Sequence, residues 1–317
     1  MEDKRKETIC AVVVTFNRKK LLGECLDTLL VQRRPLDSII IIDNDSSDGT
    51  EEFLKEKYLN NSVFHYVRLP ENTGGAGGFH EGMKKGIERG FDWLWLMDDD
   101  GKANTTTLDA LYKKAKELNI KAIAPLVVSI ENKGSLCSRL SNKSKKIYDV
   151  STALALSDEN GCIWNSASFF NGLLINRDVI QKIGLTIKDF FIWGDEREYQ
   201  SRIIISGFRL CTYVGAIFQH PITKTRLHPI LYGLIRVKWT DNNLKDYCAT
   251  RNWIYITKKY NTYSFFLKKV IIHLLKYIYY FILVRKFDVK NLRIYFCALR
   301  DGYLGNLKLH KKYMQQL

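Results

Sequence analysis

The 317-residue sequence lacks several patterns that define common protein classes. Its seven cysteines form no CxxC pair, which excludes a zinc ribbon, gives no disulfide framework and favours a reducing cytoplasm. Its glycine-rich stretch is neither a GxGxxG fingerprint nor a P-loop. The apolar run Val270–Val284 is shorter than the roughly 20 apolar residues that a bilayer-spanning helix needs. The charged start MEDKRKETIC runs straight into a predicted strand, so we expect no signal peptide.

Acidic residues are scarce in the last third of the chain. Residues 226–317 hold 18 Lys and Arg but only four Asp and no Glu, so nearly all of the net charge of +15 lies there. The same region is aromatic and aliphatic, as in YSFFLKKVIIHLLKYIYYFILVRK. This combination favours an anionic membrane surface over nucleic acid, for which no recognition motif is present. The alternative is an ordinary packed helical region with a solvated basic face or an oligomer interface.

Apolar patterns in residues 1–225 predict strands that alternate with helices. Ile9–Thr15 and Ser38–Ile42 are typical of strands buried on both faces. Such alternation predicts an α/β fold, with a mostly parallel sheet covered on both sides. The polar residues 131–165 predict a long excursion or a pair of edge strands, and the pattern from Arg226 onward is helical. We therefore expect two domains, residues 1–225 and 226–317.

Three adjacent acidic residues directly follow a predicted apolar strand. Asp98, Asp99 and Asp100 therefore lie where open α/β sheets bind their ligands, at the carboxyl ends of strands. Neighbouring carboxylates repel one another and need a cation, and oxygen ligands suit Mg²⁺ or Mn²⁺, which often bridge to a nucleotide diphosphate. Asp98 and Asp100 alternate in the turn and so both face one ion. The alternative is a plain turn that leads into a helix.

Other polar residues follow the predicted strands. Asp43 is placed to accept the N3–H of a pyrimidine, or else belongs to a turn. The glycines of Gly74–Gly78 let the backbone approach a ligand, and the next helix begins with a phosphate-binding N-terminus. Asp195 and Glu196 are candidate general bases, or else helix N-terminal acids that complement the helix dipole. His220, at a predicted strand end, is by itself more typical of a structural histidine.

In this order, the features resemble the inverting family 2 glycosyltransferases of the GT-A fold. The resemblance covers about residues 8–222 and rests on VVVTFNRKKLLGECLDTLL, IIIIDNDSSDGTEEF, MDDDG and WGDEREY. The segment ENTGGAGGFHEGMKKGIERGFDWLWLMDDD is similar to the galactofuranosyl- and rhamnosyltransferase branch. These stretches carry the resemblance in combination.

The resemblance implies a role for individual residues. The nucleotide-sugar donor would be held by Thr15, Phe16, Arg18, Asp43, Gly74, Gly75 and Asp99. Mn²⁺ or Mg²⁺ would be bound by Asp98, Asp100 and His220. The general base would be Glu196, where related enzymes have an Asp, or the adjacent Asp195. Trp193 and Trp164 would stack against the acceptor sugar, although Trp164 also suits the core.

The implied activity is inverting, metal-dependent transfer of a sugar, with UDP-galactofuranose as the favoured donor. The acceptor would be a lipid-linked oligosaccharide at the cytoplasmic face of the membrane, on the way to a cell-surface polysaccharide. Two alternatives stay open: a rhamnosyltransferase that uses dTDP-rhamnose, and a nucleotide-binding assembly scaffold without turnover.

Overall fold

The computed structural model of the chain describes residues 6–142, 145–222 and 227–316, with only the backbone at 315 and 316. Contacts divide the chain into two units, Met1–Lys188 with Tyr199–Thr223 and Asp189–Glu198 with Lys224–Leu317. The predicted domain boundary between residues 225 and 226 lies outside the described residues. So do residues 1–5, which belong to the charged start for which no signal peptide is expected. The sequence assigns residues 189–198 to the first domain, whereas their contacts group them with the second unit.

The first unit is built from alternating strands and helices. Its strands are β1 (Ile9–Thr15), β2 (Ser38–Asp43), β3 (Phe64–Arg68), β4 (Trp93–Asp98), β5 (Lys102–Ala103), β6 (Ala122–Ser129), β7 (Ser135–Asn142), β8 (Lys145–Asp149), β9 (Cys162–Trp164), β10 (Asn171–Asn176) and β11 (Leu210–His220). Its helices are α1 (Lys19–Leu30), α2 (Thr50–Lys57), α3 (Gly74–Glu88), α4 (Thr107–Glu117), α5 (Val150–Leu156), α6 (Arg177–Ile183) and the greater part of α7 (Asp195–Ile205), which begins in the second unit.

The strands form one sheet in the order β3-β2-β1-β4-β10-β6-β11-β5, with β7, β8 and β9 attached beside it. Strands β3, β2, β1 and β4 are parallel to one another, and β6 is parallel to β11. Strand β10 is antiparallel to both β4 and β6. The predicted α/β class with a mostly parallel sheet is confirmed, and residues 131–165 contain the predicted pair of edge strands, β7 and β8.

Helices bury both faces of this sheet. Along β1, Ala11 and Val13 pack with α1 and α4 on one face, while Val12 and Val14 pack with α3 and α6 on the other. All seven residues of β1 are buried, which explains its continuous apolar run. Each fully buried Val or Leu stabilises the fold by about 1.5–3 kcal/mol relative to an exposed one.

Helix α3 lies directly against β1 because it carries glycines on that face. A Cβ at Gly82 would lie 2.3 Å from Cγ1 of Val12, and one at Gly78 would lie 2.4 Å from Cγ1 of Val14. The sequence predicts a glycine loop at Gly74–Gly78, but α3 already begins at Gly74. These glycines therefore serve the packing of helix on strand as well as any ligand.

The second unit combines a hairpin with helices. Its elements are β12 (Leu227–Ile230), β13 (Ile235–Lys238), α8 (Asn243–Lys259), α9 (Tyr263–Tyr279), a π-helical turn (Tyr280–Val284), α10 (Val289–Leu304) and a 3₁₀ helix (Leu307–Gln316). The hairpin is a difference from the purely helical pattern that the sequence predicts. Helix α10 crosses α8 closely at Gly302, where a Cβ would lie 2.2 Å from the carbonyl oxygen of Arg251. Across the described ranges, no helix combines the length and apolar character that crossing a bilayer requires.

Candidate active site

The sheet brings the three predicted metal ligands together. Asp98 ends β4, Asp100 follows in the next turn, and His220 ends β11. One ligand atom of each lies within 4.8 Å of the others. The pairing of β5 with β11 explains this proximity, because Lys102, just after the triplet, lies opposite Gln219. Residues that are distant in the sequence thus meet at one edge of the sheet.

The orientation of His220 suits a metal ligand. Its Nδ1 lies 2.7 Å from the carbonyl oxygen of Pro221, and a carbonyl only accepts, so Nδ1 carries the proton. Nε2 then faces Asp100, whose Oδ1 lies 2.8 Å away in an ion pair with the protonated imidazole. After loss of that proton, the lone pair of Nε2 would be available to a metal ion at the same place. A histidine held through its other nitrogen is the usual arrangement at metal sites. Together with the two carboxylates, it fits Mn²⁺ or Mg²⁺.

Basic groups partly balance the charge of the triplet. Nη1 of Arg18 lies 3.2 Å from Asp99 and 2.9 Å from Asp100, and Asp99 also accepts a hydrogen bond from Thr15 at 2.6 Å. Burial raises the pKa of Asp99 to about 6, although the hydrogen bond from Thr15 and the charge of Arg18 both lower it. Burial also disfavours ionised Asp100, but His220 and Arg18 outweigh it and lower the pKa of Asp100. Burial lowers the pKa of His220, yet the Asp100 carboxylate raises it to about 11 overall. The lowered pKa of Asp100 and the raised pKa of His220 both reflect the attraction between their opposite charges.

Asp43 lies at the same edge of the sheet, opposite Thr15 in the register of β1 with β2. Its side chain is fully buried. One carboxylate oxygen accepts the backbone N–H of Ser46 at 2.8 Å, and the other accepts the hydroxyl of Tyr66 at 2.7 Å. A carboxylate oxygen has two lone pairs, so each oxygen retains capacity for one further donor, such as a pyrimidine N–H.

The other residues that are predicted to bind the nucleotide-sugar donor also follow strands of the first unit. Phe16 follows β1 and is partly buried. Asn44 fixes the start of α3, since its Oδ1 accepts the N–H of Thr73 at 3.2 Å and its Nδ2 donates to the carbonyl of Gly74 at 3.3 Å. A Cβ at Gly75 would meet no described atom within 4 Å, which leaves that side of the helix N-terminus open to a ligand.

Trp164 is not brought to this cluster. It pairs with Cys211 near the start of β11. Cys211 and His220 lie opposite Ile123 and Ser129 of β6, six residues apart, and a strand rises by about 3.3 Å per residue, so Trp164 and His220 are about 20 Å apart along the sheet. Its indole N–H donates to Asp158 at 2.7 Å, and the guanidinium of Arg209 lies 4.2 Å from its ring centre. Its partners fix the ring as part of the packing, the alternative that the sequence left open.

Asp195 and Glu196 begin α7 within the second unit. Asp195 is buried, with 6% of its surface exposed, whereas Glu196 is exposed. Burial, together with the charge of Glu196, raises the pKa of Asp195 to about 7. A carboxyl group with a pKa near neutrality is suited to accept a proton from a substrate hydroxyl. Nearby Glu198 instead accepts a hydrogen bond from Tyr260 at 2.6 Å, a structural contact.

A cavity of about 320 Å³ in the second unit is lined by Trp193, Gly194 and residues of β13, α8 and α9. The ammonium group of Lys238 lies 3.9 Å from the ring centre of Trp193, and Trp253 stacks on His273 at 3.9 Å. Burial lowers the pKa of His273 to about 3, so this imidazole is neutral near pH 7. Aromatic walls with a few polar groups are typical of small-ligand sites.

Four residues at these sites were not predicted. Tyr66 bonds to Asp43, Cys137 lies with its Sγ 3.1 Å from Nδ1 of His220, and Lys238 and Trp253 line the cavity. Of these four, only Tyr66 could have been found from the sequence, because its predicted strand follows that of Asp43 and pairs beside it in a parallel sheet. The other three lie outside any motif and reach their sites through long-range packing.

The model of the family described as Glycosyl transferase family 2 matches residues 10–176, more than half of the chain. This chain belongs to glycosyltransferase family 2. It is 31% identical to the galactofuranosyltransferase GlfT1 of Mycolicibacterium smegmatis, over 79% of this chain and 83% of that protein. It is 32% identical to GlfT1 of Mycobacterium tuberculosis, over 79% and 82%. The expected family and the glycosyltransferase activity are thereby confirmed.

Solved structures show the same fold at low sequence identity. This glycosyltransferase matches GalNAc-T7, solved with UDP, GalNAc and Mn²⁺, with a TM-score of 0.60 and 15% identity over 81% of this chain and 48% of that one. It matches the mannosyltransferase PcManGT of Pyrobaculum calidifontis, solved with GDP-Man and Mn²⁺, with a TM-score of 0.54 and 15% identity over 81% and 64%. The chain thus spans about half of GalNAc-T7. The predicted GT-A fold is confirmed.

Proposed function

We propose that this family 2 glycosyltransferase transfers galactofuranose from UDP-galactofuranose to a lipid-linked saccharide, with inversion, in the synthesis of a cell-surface polysaccharide. The observation that carries the donor sugar is the similarity to two galactofuranosyltransferases over about four-fifths of each chain. The carboxyl edge of the sheet, with Thr15, Arg18 and Asp43, is the proposed nucleotide site.

The proposed metal ligands are Asp98, Asp100 and His220, whose ligand atoms lie together in the first unit. When bound there, Mn²⁺ or Mg²⁺ supplies positive charge that stabilises the diphosphate leaving group. Arg18 holds Asp99 and Asp100 in place by ion pairs. The hydrogen bond from His220 to Pro221 keeps Nε2 directed at the carboxylates.

We assign the general base to Asp195, with Glu196 as the alternative that the motif position implies. Asp195 is buried and its pKa is raised to about 7, whereas Glu196 is exposed. The carboxylate takes the proton of the acceptor hydroxyl while the hydroxyl oxygen attacks the anomeric carbon opposite the diphosphate. One bond forms, the bond to the diphosphate breaks, and no covalent enzyme intermediate is required.

The cavity of the second unit is the proposed acceptor site. Trp193 and Gly194 in its wall directly precede Asp195 in the chain, and we propose that an acceptor bound in the cavity presents its hydroxyl to that base. Trp253 and Lys238 contribute a second aromatic wall and a cation. We propose that Trp253, rather than Trp164, is the second tryptophan that contacts the acceptor sugar.

We further propose that helix α9 rests on an anionic membrane surface at the cytoplasmic face. Its outer face, defined as Lys268, Ile271, Ile272 and Leu275, has helical spacing, and its three apolar side chains are 54–65% exposed. Exposed Lys286 lies further along the same basic region. An anionic leaflet attracts each nearby Lys by about 1 kcal/mol, and inserted apolar side chains add to this.

The direct test of the function is a donor panel. Purified enzyme with Mn²⁺ is given UDP-galactofuranose, UDP-galactopyranose or dTDP-rhamnose, and nucleoside diphosphate release is measured with and without a saccharide acceptor. We expect turnover of UDP-galactofuranose. Preference for dTDP-rhamnose would move the enzyme to the rhamnosyltransferase branch, and release from none of the donors would favour a binding scaffold.

A further inference from the structure

The segment that leads into the proposed base has an unusual backbone. In the four residues before Asp195, Phe191, Trp193 and Gly194 have φ angles of 65°, 59° and 98°. Residues other than glycine rarely adopt a positive φ angle, and bulky aromatic residues do so only where the surrounding structure enforces it. Something in the second unit must therefore hold this segment.

The neighbouring helix α8 supplies that support through the side chain of Asn252. Its Nδ2 lies 3.0 Å from the carbonyl oxygen of Phe190, 3.1 Å from that of Ile192 and 2.6 Å from that of Trp193. Asn252 is fully buried. One amide group thus gathers three carbonyl oxygens from four consecutive residues.

The adjacent Arg251, also fully buried, orients this amide. Its Nε donates to Oδ1 of Asn252 at 2.9 Å, which turns Nδ2 toward the carbonyls. Its Nη2 donates to the carbonyls of Asp189 and Phe190 at 3.0 and 2.9 Å. Burying an arginine is costly, and here its hydrogen bonds go to this segment, to Asn252, and to Leu307 and His310 of the last helix.

The segment also fits against Asn252 without room to spare. A Cβ at Gly194 would lie 3.0 Å from Cβ of Asn252, and the φ of Gly194 disfavours any side chain there. Gly194 is the residue directly before Asp195, so the contact fixes the backbone from which the proposed base projects. Binding and catalytic groups are most effective when such a second layer of contacts locks them.

We propose that Asn252 and Arg251 are positioning residues that hold segment 189–194 so that Asp195 meets the acceptor hydroxyl. The proposal rests on the function assigned to Asp195 above. It gives the basic C-terminal region a part in catalysis that it exerts through Asp195, beyond any contact with membrane. A misplacement of about 1 Å at a reacting group lowers a rate by about 100-fold, so small movements of this segment are sufficient.

The test compares Asn252→Ala with Asn261→Ala, which removes an amide-to-carbonyl hydrogen bond at the end of the same helix, to Thr257. UDP release from UDP-galactofuranose is measured with Mn²⁺ on the full chain. For Asn252→Ala we expect kcat to fall by about 10- to 100-fold with donor KM within about twofold. Asn261→Ala should keep both constants. Unchanged kcat in Asn252→Ala would overturn the proposal.

A double mutant separates positioning from general damage. If Asn252 acts through Asp195, adding Asn252→Ala to Asp195→Asn should cost less than about twofold more, because residues that act as one unit are not additive. If kcat of the double mutant instead falls by the full factor seen for Asn252→Ala alone, the proposal is overturned. If Asn252→Ala does not fold, Gly194→Ala perturbs the same contact from the other side and replaces it in the cycle. If Asp195→Asn is fully active, the base assignment itself is wrong.

Discussion

In this glycosyltransferase, Nε2 of His220 lies 2.8 Å from Oδ1 of Asp100. The two residues are 120 positions apart in the sequence and meet because the short strand β5 pairs with the end of β11. The second nitrogen of the same imidazole is held by the Pro221 carbonyl. This geometry makes the metal site the most directly testable part of the proposed mechanism.

Loss of His220 should weaken metal binding. Changes to groups that merely orient a ligand cost about 10- to 100-fold in metal affinity, so His220→Ala should cost at least about 100-fold. Mn²⁺ binding is measured by calorimetry, and Asp109→Asn, which removes a carboxylate that pairs with Lys113 on α4, is the matched control. Asp100→Ala and chelation by EDTA should both abolish transfer, the latter reversibly. Full transfer in EDTA would contradict the metal role.

Matched amide variants distinguish the two candidate bases. Asp195→Asn keeps size and hydrogen bonding but cannot take a proton, so kcat should fall by at least about 100-fold while donor binding survives. Glu196→Gln, exposed and adjacent, should retain most activity. The reverse result would assign the base to Glu196, the position that the family motif implies.

The pH dependence should follow Asp195. Its pKa is raised to about 7 by burial and by Glu196, so the base form disappears as pH falls below that value. We expect kcat/KM to decrease about tenfold per pH unit below 7 and to level off above it. Activity is measured from pH 5 to 9 with saturating Mn²⁺. A profile that stays flat down to pH 5 would exclude Asp195 as the titrating base.

The close packing of α3 on β1 predicts opposite effects for two glycine substitutions. Gly82→Ala places a Cβ 2.3 Å from Val12 and should lower the free energy of unfolding by about 1–3 kcal/mol, the usual cost of overpacking. In the same helix, the Cβ of Gly75→Ala would have no atom within 4 Å, so this substitution should raise the free energy of unfolding by up to about 1 kcal/mol. Urea unfolding measures both, and equal effects would show that α3 does not approach β1 this closely.

Membrane contact should depend on the outer face of α9. Ile271→Ser combined with Leu275→Ser, or Lys268→Gln combined with Lys286→Gln, should reduce co-sedimentation with vesicles that contain phosphatidylglycerol. Turnover of a soluble acceptor should be nearly unchanged. High salt should release the wild-type protein, since it screens the electrostatic attraction. Arg285 is a poorer target because Asp241 and Asp288 already pair with it.

Two controls sharpen the membrane experiment. Lys113→Gln with Lys116→Gln removes the same charge from exposed positions on α4, outside the basic region, and should not alter binding. Equal binding to neutral and anionic vesicles would contradict the electrostatic part. If no vesicle binds but the protein is a concentration-dependent oligomer that Ile271→Ser disrupts, the outer face joins copies of this chain instead.

Local pattern was sufficient for the elements and motifs of the first unit. The predicted strand Ile9–Thr15 has the observed bounds, because a continuous run of β-branched apolar residues has few other solutions. The grouping of Asp98, Asp100 and His220 followed from the resemblance and from the rule that strand ends carry ligands. These features depend on residues close in sequence or on a shared fold.

Features that depend on distant packing were not predictable. The hairpin β12–β13 contains Pro229 and Gly233 in a region with otherwise helical spacing, so its strands have no periodic signal. Trp253 resembles any other apolar residue of α8 until the fold places it in the cavity wall. The sequence leaves Trp164 open between the acceptor site and the core, and its strand pairing with Cys211 favours the packing role.

The placement of the three metal ligands has a thermodynamic consequence. An ion bound by Asp98, Asp100 and His220 would connect the end of β4 to the end of β11. It would act as a removable cross-link that closes the stretch of chain containing β5 to β11. A ligand that binds only the folded state stabilises it by about 2.7 kcal/mol at 100 times its Kd. We therefore expect the melting temperature of this enzyme to rise with Mn²⁺ concentration, so that the proposed metal ion would also protect the catalyst against unfolding.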